Sequence, residues 1–404
     1  MDPLNASTVV NATLNATAEN IPLSGMVLSS SVLFILAIVP IYFGSFMSQN
    51  CRDKANVEVI TARDAATFPA YASAALFGVF LLFKFVPKEY INLVVNLHLS
   101  FIGIGCMFHV FSPTLSRLFP KSIKNHMFKA EFSKSRETES GDTGSHWEVL
   151  STSSVSLESK EIAGLVVAAG VGAVYFFTRH WLPNNFLAVC LSLVAIENIR
   201  LNKFVNGFML LGGLFFYDIF WVFGTPVMVS VAKTLDAPIK VTFPRDFLAH
   251  GIFGKQLGLL GLGDIVVPGV FVAMLLRFDH SLNRSGSLKY FYTGYVAYII
   301  GLLTTFIVML TFNAAQPALL YLVPTCLGFP LARAWLQGDL AAMFAYEDVP
   351  QENTDKNIIA DTQSEVRWAL VFSDISNPEI SADVSYKPDP QLYTEGPVHV
   401  DVAP

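Results

Sequence analysis

Charge is the scarcest commodity in this chain. Only 14% of its 404 residues are Asp, Glu, Lys or Arg, where soluble domains carry about 25%. The shortage is concentrated in apolar runs about 20 residues long, the length that crosses roughly 30 Å of hydrocarbon at 1.5 Å per residue. That pattern excludes an ordinary water-soluble domain and predicts a polytopic membrane protein. Cysteine is also sparse. Cys51, Cys106, Cys190 and Cys326 stand singly, no pair has metal-ligand spacing, and they read as packing residues rather than a metal centre. Lys and Arg are missing from residues 1–24, which removes the basic start of a secretory signal peptide. The net charge of −6 lies mostly in the termini and gives no reason to expect nucleic acid as a partner.

What is present begins with three Asn-x-Ser/Thr sequons, at Asn5, Asn11 and Asn15. Three so close together in a featureless tail predict a lumenal, glycosylated N-terminus. The hydrophobic runs predict an all-α chain of nine transmembrane helices, over residues 25–47, 67–86, 90–111, 162–178, 182–199, 205–231, 257–276, 290–312 and 316–336. With the N-terminus outside, Lys and Arg concentrate in the inward connections. The positive-inside rule then agrees with the sequons, placing the C-terminus in the cytosol; the basic loop from Lys233 to Lys255 is the one discordant connection. The resulting division is a lumenal tail (1–24), five N-terminal helices (25–199) carrying a polar, mobile cytosolic loop (112–161), four helices forming a second half (200–344), and a disordered cytosolic tail (345–404).

Two of these runs each hide an acid. Asp218 follows Gly212-Gly213-Leu214-Phe215-Phe216-Tyr217 in the sixth, and Asp264 follows Gly261-Leu262-Gly263 in the seventh. An ionisable group at such depth costs roughly 2.5–3.5 kcal/mol on insertion scales, so it needs a partner or a use. Asp218 lies 15 residues past Lys203, and Asp264 lies 13 residues before Arg277. At about 1.5 Å per residue both sit roughly 20 Å from the cytosolic charges, at one level of the membrane.

Matched depth predicts a pair. Two carboxyls in a low-dielectric site cannot both ionise cheaply and come to share a proton. One can then activate water while the other polarises a carbonyl and later protonates the leaving nitrogen. This is aspartic-protease chemistry, with no metal, cofactor or covalent intermediate. Gly261, Gly263, Pro268 and Gly269 make the seventh span a weak helix in its lumenal half, as a wet cavity beside unfolded backbone requires; Gly212 and Gly213 are read equally well as helix-packing positions. Gln316-Pro317-Ala318-Leu319 opens the ninth span and becomes a candidate wall that holds an extended substrate. Tyr217 either bonds the pair or packs beside it. His98 and His109 are read as structural, and Glu197 as solvated near the cytosol.

Tyr217-Asp218, Gly261-Leu262-Gly263-Asp264 and Pro317-Ala318-Leu319 together resemble the three signatures of the presenilin and signal peptide peptidase superfamily of intramembrane aspartyl proteases. Their order on spans six, seven and nine is what makes short motifs specific. Within that superfamily, the run Gly212–Lys240, with Ala237-Pro238-Ile239-Lys240, and the stretches around Asp264 and Pro317 are similar to the signal peptide peptidase branch. The likeness covers roughly residues 25–347.

The resemblance implies a presenilin-like fold, Asp218 and Asp264 as catalytic residues, and a site shaped by Pro317, Ala318 and Leu319. It also implies substrates that are leftover signal peptides and type II membrane anchors, cleaved in the endoplasmic reticulum membrane without partner subunits. The lipid bilayer is the other partner, and a homo-oligomer is left open. The chain ends without the dilysine retrieval signal usual in vertebrate relatives, so residence in other membranes is an expectation held beside the reticulum. The rival reading is an ion or proton transporter or channel that uses the same buried carboxylates.

Overall fold

The computed structural model describes residues 23–50, 58–118, 126–139, 145–225, 227–235, 237–282, 284, 286–312 and 316–348. Asn5, Asn11, Asn15 and Cys51 lie outside the described residues, as does the chain beyond Asp348. Among the described residues, nine long helices stand where the hydrophobic runs predict them: α1 (Leu23–Asn50), α2 (Ala62–Phe85), α3 (Lys88–Leu118), α4 (Ile162–Thr178), α5 (Trp181–Asn198), α6 (Phe204–Phe223), α7 (Gly263–Ser281), α8 (Lys289–Phe312) and α9 (Leu319–Gln337). Among the described residues, six of them (α1, α2, α3, α6, α8 and α9) are long and apolar enough to cross a membrane, and α4 is a shorter apolar helix. The other two are diluted by polar groups that the fold buries: Asn184, Asn185 and Glu197 on α5, and Arg277 and Asp279 on α7.

α7 is the central helix of the described bundle. Every residue from Pro268 to Asp279 is buried, and the helix is enclosed by α1, α5 and α8. Close approach is possible because of glycine. A Cβ at Gly269 would come within 2.6 Å of Ile196 Cδ1 on α5, so only the bare backbone fits there. α6 lies against α2 and α9; Gly213 meets Pro69 of α2, where a Cβ would fall 2.6 Å from the ring, while Gly212 faces open space. The packing reading therefore holds for Gly213 and fails for Gly212.

The fold is mostly helical, but three two-stranded sheets among the described residues qualify the all-α expectation. β1 (Glu58–Ile60) and β4 (Ile199–Leu201) pair in parallel, and β5 (Lys240–Pro244) and β6 (Leu257–Gly261) pair antiparallel. The interior of the expected 112–161 loop holds β2 (Met127–Glu139) and β3 (Ser145–Glu158), an antiparallel hairpin, after α3 has run on to Leu118. Alternating Phe, Val, Thr and Ser favour strands there, a pattern hidden by the segment's polarity.

Two predicted spans are also cut short. α6 stops at Phe223, where Gly224 and Pro226 interrupt the apolar run, and a short helix (Val227–Thr234) follows. The first five residues of the predicted seventh span are β6, so its helix begins only at Gly263.

Candidate active site

The unwinding of the seventh span puts Asp264 in the first turn of α7. A carboxylate there faces free amides and the positive end of the helix dipole. Leu262 anchors the turn: its N–H donates to the Ile239 carbonyl at 3.0 Å, and its own carbonyl accepts from Ile265 at 3.0 Å and Val266 at 2.8 Å. The Ala237–Lys240 run thus has a structural task, holding the loop in front of Asp264. Leu262 is buried, Gly261 half-buried and Gly263 exposed. Gly263 has open space where a Cβ would stand, and a Cβ at Gly261 would lie 3.6 Å from Asp264 Oδ2.

Asp218 is placed by the opposite device. It sits inside α6, 3% exposed, and its Oδ2 accepts the backbone N–H of Leu319 at 2.9 Å. Leu319 is the first residue of α9, whose opening amides have no partner within the helix. Pro317 has no amide to leave orphaned, and the carbonyls of Pro317 and Ala318 accept from Leu320, Tyr321 and Leu322. The Pro317-Ala318-Leu319 turn is therefore a helix N-terminus aimed at a carboxylate. Each acid meets the positive end of a helix, Asp264 that of α7 and Asp218 that of α9.

Tyr217 is half-buried, its ring 6.4 Å from that of Trp221, which favours the packing reading. Two buried polar positions that support the site escaped the sequence analysis. Tyr298, fully buried on α8, donates its hydroxyl to the Asp264 carbonyl at 3.3 Å. Asn185, buried on α5, pairs with the backbone of β5: its Nδ2 donates to the Thr242 carbonyl at 2.7 Å and its Oδ1 accepts from the Thr242 N–H at 2.9 Å. Asn184 alongside donates to the Lys240 carbonyl at 2.8 Å. A signal existed, since two adjacent carboxamides in an apolar run are costly unless satisfied, but nothing in the sequence says what satisfies them.

A model of the signal peptide peptidase family matches residues 52–350. The chain belongs to this family. It is 41% identical to signal peptide peptidase of Mus musculus over 369 residues, covering 90% of this chain and 94% of that one. It is 40% identical to the Homo sapiens protein over the same shares, and 32% identical to a probable intramembrane protease of Schizosaccharomyces pombe over 83% of this chain and 98% of that one. Membership in a family of proteases favours hydrolysis over ion transport for the buried acids.

Elsewhere the sequence readings fare unevenly. Cys106, Cys190 and Cys326 are buried free thiols, as packing residues should be. Glu197 is not solvated: it is 4% exposed and lies 2.9 Å from His109 Nε2. Burial of a carboxylate in an apolar bundle requires such a partner, so His109 keeps its structural role. Arg277, expected to mark the cytosolic boundary, is only 7% exposed and belongs to the interior.

Proposed function

We propose that this protein is an intramembrane aspartyl endopeptidase in which Asp218 and Asp264 share one proton and direct water at a peptide bond. The observation that carries the reading is that each of the two carboxylates stands at a helix N-terminus, Asp264 half-buried in the first turn of α7 and Asp218 buried and held by the Leu319 amide. One carboxylate activates water, and the protonated one polarises the scissile carbonyl and then protonates the leaving amine. Pro317, Ala318 and Leu319 hold the Asp218 side of the site, and Gly261, Leu262 and Gly263 deliver Asp264. β6 runs directly into this loop and pairs on one side with β5. Its other side suits an extended peptide, the conformation that exposes a backbone to attack.

The same reading assigns nine crossings, a lumenal N-terminus glycosylated at Asn5, Asn11 and Asn15, a cytosolic C-terminus, and a catalytic half over residues 200–344. Substrates are leftover signal peptides and type II anchors, and the home membrane is the endoplasmic reticulum. The test is digestion of a purified type II signal-peptide substrate by wild type, Asp218→Asn and Asp264→Asn in detergent or liposomes. Cleavage by wild type alone is expected. Equal cleavage by all three ends the two-acid mechanism, and loss of ion flux in the variants, with no peptide product from wild type, selects the transporter.

A further inference from the structure

The short segment after α9 closes on both acid-bearing helices at once. The Asp348 side chain is 2% exposed; its two oxygens each accept from Arg277 Nε on α7 at 2.9 Å, and Oδ1 also accepts the Tyr346 hydroxyl at 3.0 Å. Arg200, on the strand that leads into α6, lies 3.7 Å from the same carboxylate and is 3% exposed. Both guanidiniums also grip Ser48 at the end of α1, Arg200 through the carbonyl and Arg277 through the hydroxyl, at 2.8 Å each.

Backbone and rings repeat the arrangement. The Asp348 N–H donates to the Asn202 carbonyl at 2.9 Å, and Lys203 pairs with Glu347 at 2.7 Å. The Tyr346 ring stands 5.9 Å from Phe204 of α6 and 5.4 Å from Phe278 of α7. α6 and α7 touch each other little along their length; they meet through Phe204 and Phe208 against Phe271 and Phe278, and this segment bridges them at that same end. The tail expected from residue 345 therefore begins with a docked segment.

We infer that Tyr346–Asp348 is a fastener that sets the relative position of α6 and α7, with Asp348 a positioning residue for the Asp218–Asp264 pair. The physical basis is leverage. Both helices are continuous from this joint to their acids, and a rigid helix carries a shift at one end to the other. Two buried cations share the Asp348 carboxylate, and removing its charge weakens the compensation of both.

The inference rests on the two-acid protease reading, and the test keeps them apart. Full-length wild type, Asp264→Asn, Asp348→Asn, Asp348→Glu and Tyr346→Ala are purified, their folded fractions measured by size exclusion, and their kinetics followed on a type II signal-peptide substrate. Asp348→Asn is expected to lower kcat per folded enzyme on the order of tenfold or more, with KM within about twofold, as misplacement at a distance does. Asp348→Glu should recover most of that rate. Tyr346→Ala, which strands no charge, should show the same kcat loss in a milder form.

Wild-type kcat in both Asp348→Asn and Tyr346→Ala overturns the inference while leaving the protease reading intact. A raised KM at unchanged kcat overturns it too, because the segment then meets substrate instead of placing the acids. Failure of both variants to fold makes the segment a folding requirement and nothing more. A wild type that does not cut, or an Asp264→Asn variant that does, removes the protease reading and this inference with it.

Discussion

The N–H of Leu319 and the carboxylate of Asp218 are 101 residues apart in sequence and 2.9 Å apart in space. This one bond joins the first and last motifs of the site, and it separates two roles of Asp218. Asp218→Asn keeps an oxygen for the amide and removes the ionisable group. Asp218→Leu removes both and orphans a buried donor, at a cost of about 1–3 kcal/mol. Both variants should be inactive. Only the leucine variant should also lower the thermal unfolding midpoint in detergent; equal midpoints for the two would mean that the bond does not hold α9 in place.

Gly301 of α8 offers a test of the α9 wall without touching an acid. A Cβ there would come within 3.0 Å of the Leu322 backbone and close on the Thr325 hydroxyl. Backbone cannot step aside as a side chain can, so Gly301→Val should push α9 away from α8 and with it the Leu319 amide. Gly212→Ala, with open space around it, should be near neutral. The comparison is cleavage rate per folded enzyme, with Gly301→Val falling well below Gly212→Ala.

Asn185 satisfies both backbone groups of Thr242 on the outer edge of β5. Asn185→Leu conserves volume and leaves an N–H and a carbonyl unmet, for a loss of about 1–3 kcal/mol each at most. The β5–β6 hairpin should then exchange its amide hydrogens faster while α8 and α9 keep their protection. Hydrogen exchange followed by mass spectrometry reads this directly; uniform protection across the hairpin would dismiss the clamp.

Asp339, just beyond the end of α9, receives both terminal nitrogens of Arg284 and the hydroxyl of Tyr290, all at 2.7 Å. The Arg284 bonds foremost, and the Tyr290 bond next, hold its carboxyl below the usual carboxylate range. A depressed folded-state value means that the pairing stabilises the protein fully above the ordinary carboxylate pKa, about 4, and is lost as pH falls through the lower folded value. Melting of wild type should therefore weaken on acidification below about pH 4, and Asp339→Asn should weaken less over the same window. Parallel curves would mean that this group is not linked to folding.

Several features were legible before any coordinates. Hydrophobic runs located the nine long helices among the described residues because apolar length is a local property. The acids stood out because a carboxylate in an apolar run has no cheap explanation. The glycines before Asp264 pointed to non-helical backbone but not to a strand, since a two-residue register with Lys240–Pro244 is a long-range choice. The placement of Glu197 and Arg277 was misread for one reason: a charge near a span's end looks solvated until a partner such as His109 or Asp348 is seen to enclose it.

By itself the sequence determined where the long apolar helices fall, that two of the apolar runs carry an acid, and which short motifs flank those acids. Tertiary structure alone decided that Leu319 is the donor to Asp218, that α7 starts at Gly263 after a hairpin, and that Asp348 is tied to Arg277. The physical reason is range. Hydrophobicity and helix length act between neighbours along the chain, whereas the partner of a buried donor or charge is chosen by whichever distant segment the packing brings within 3 Å.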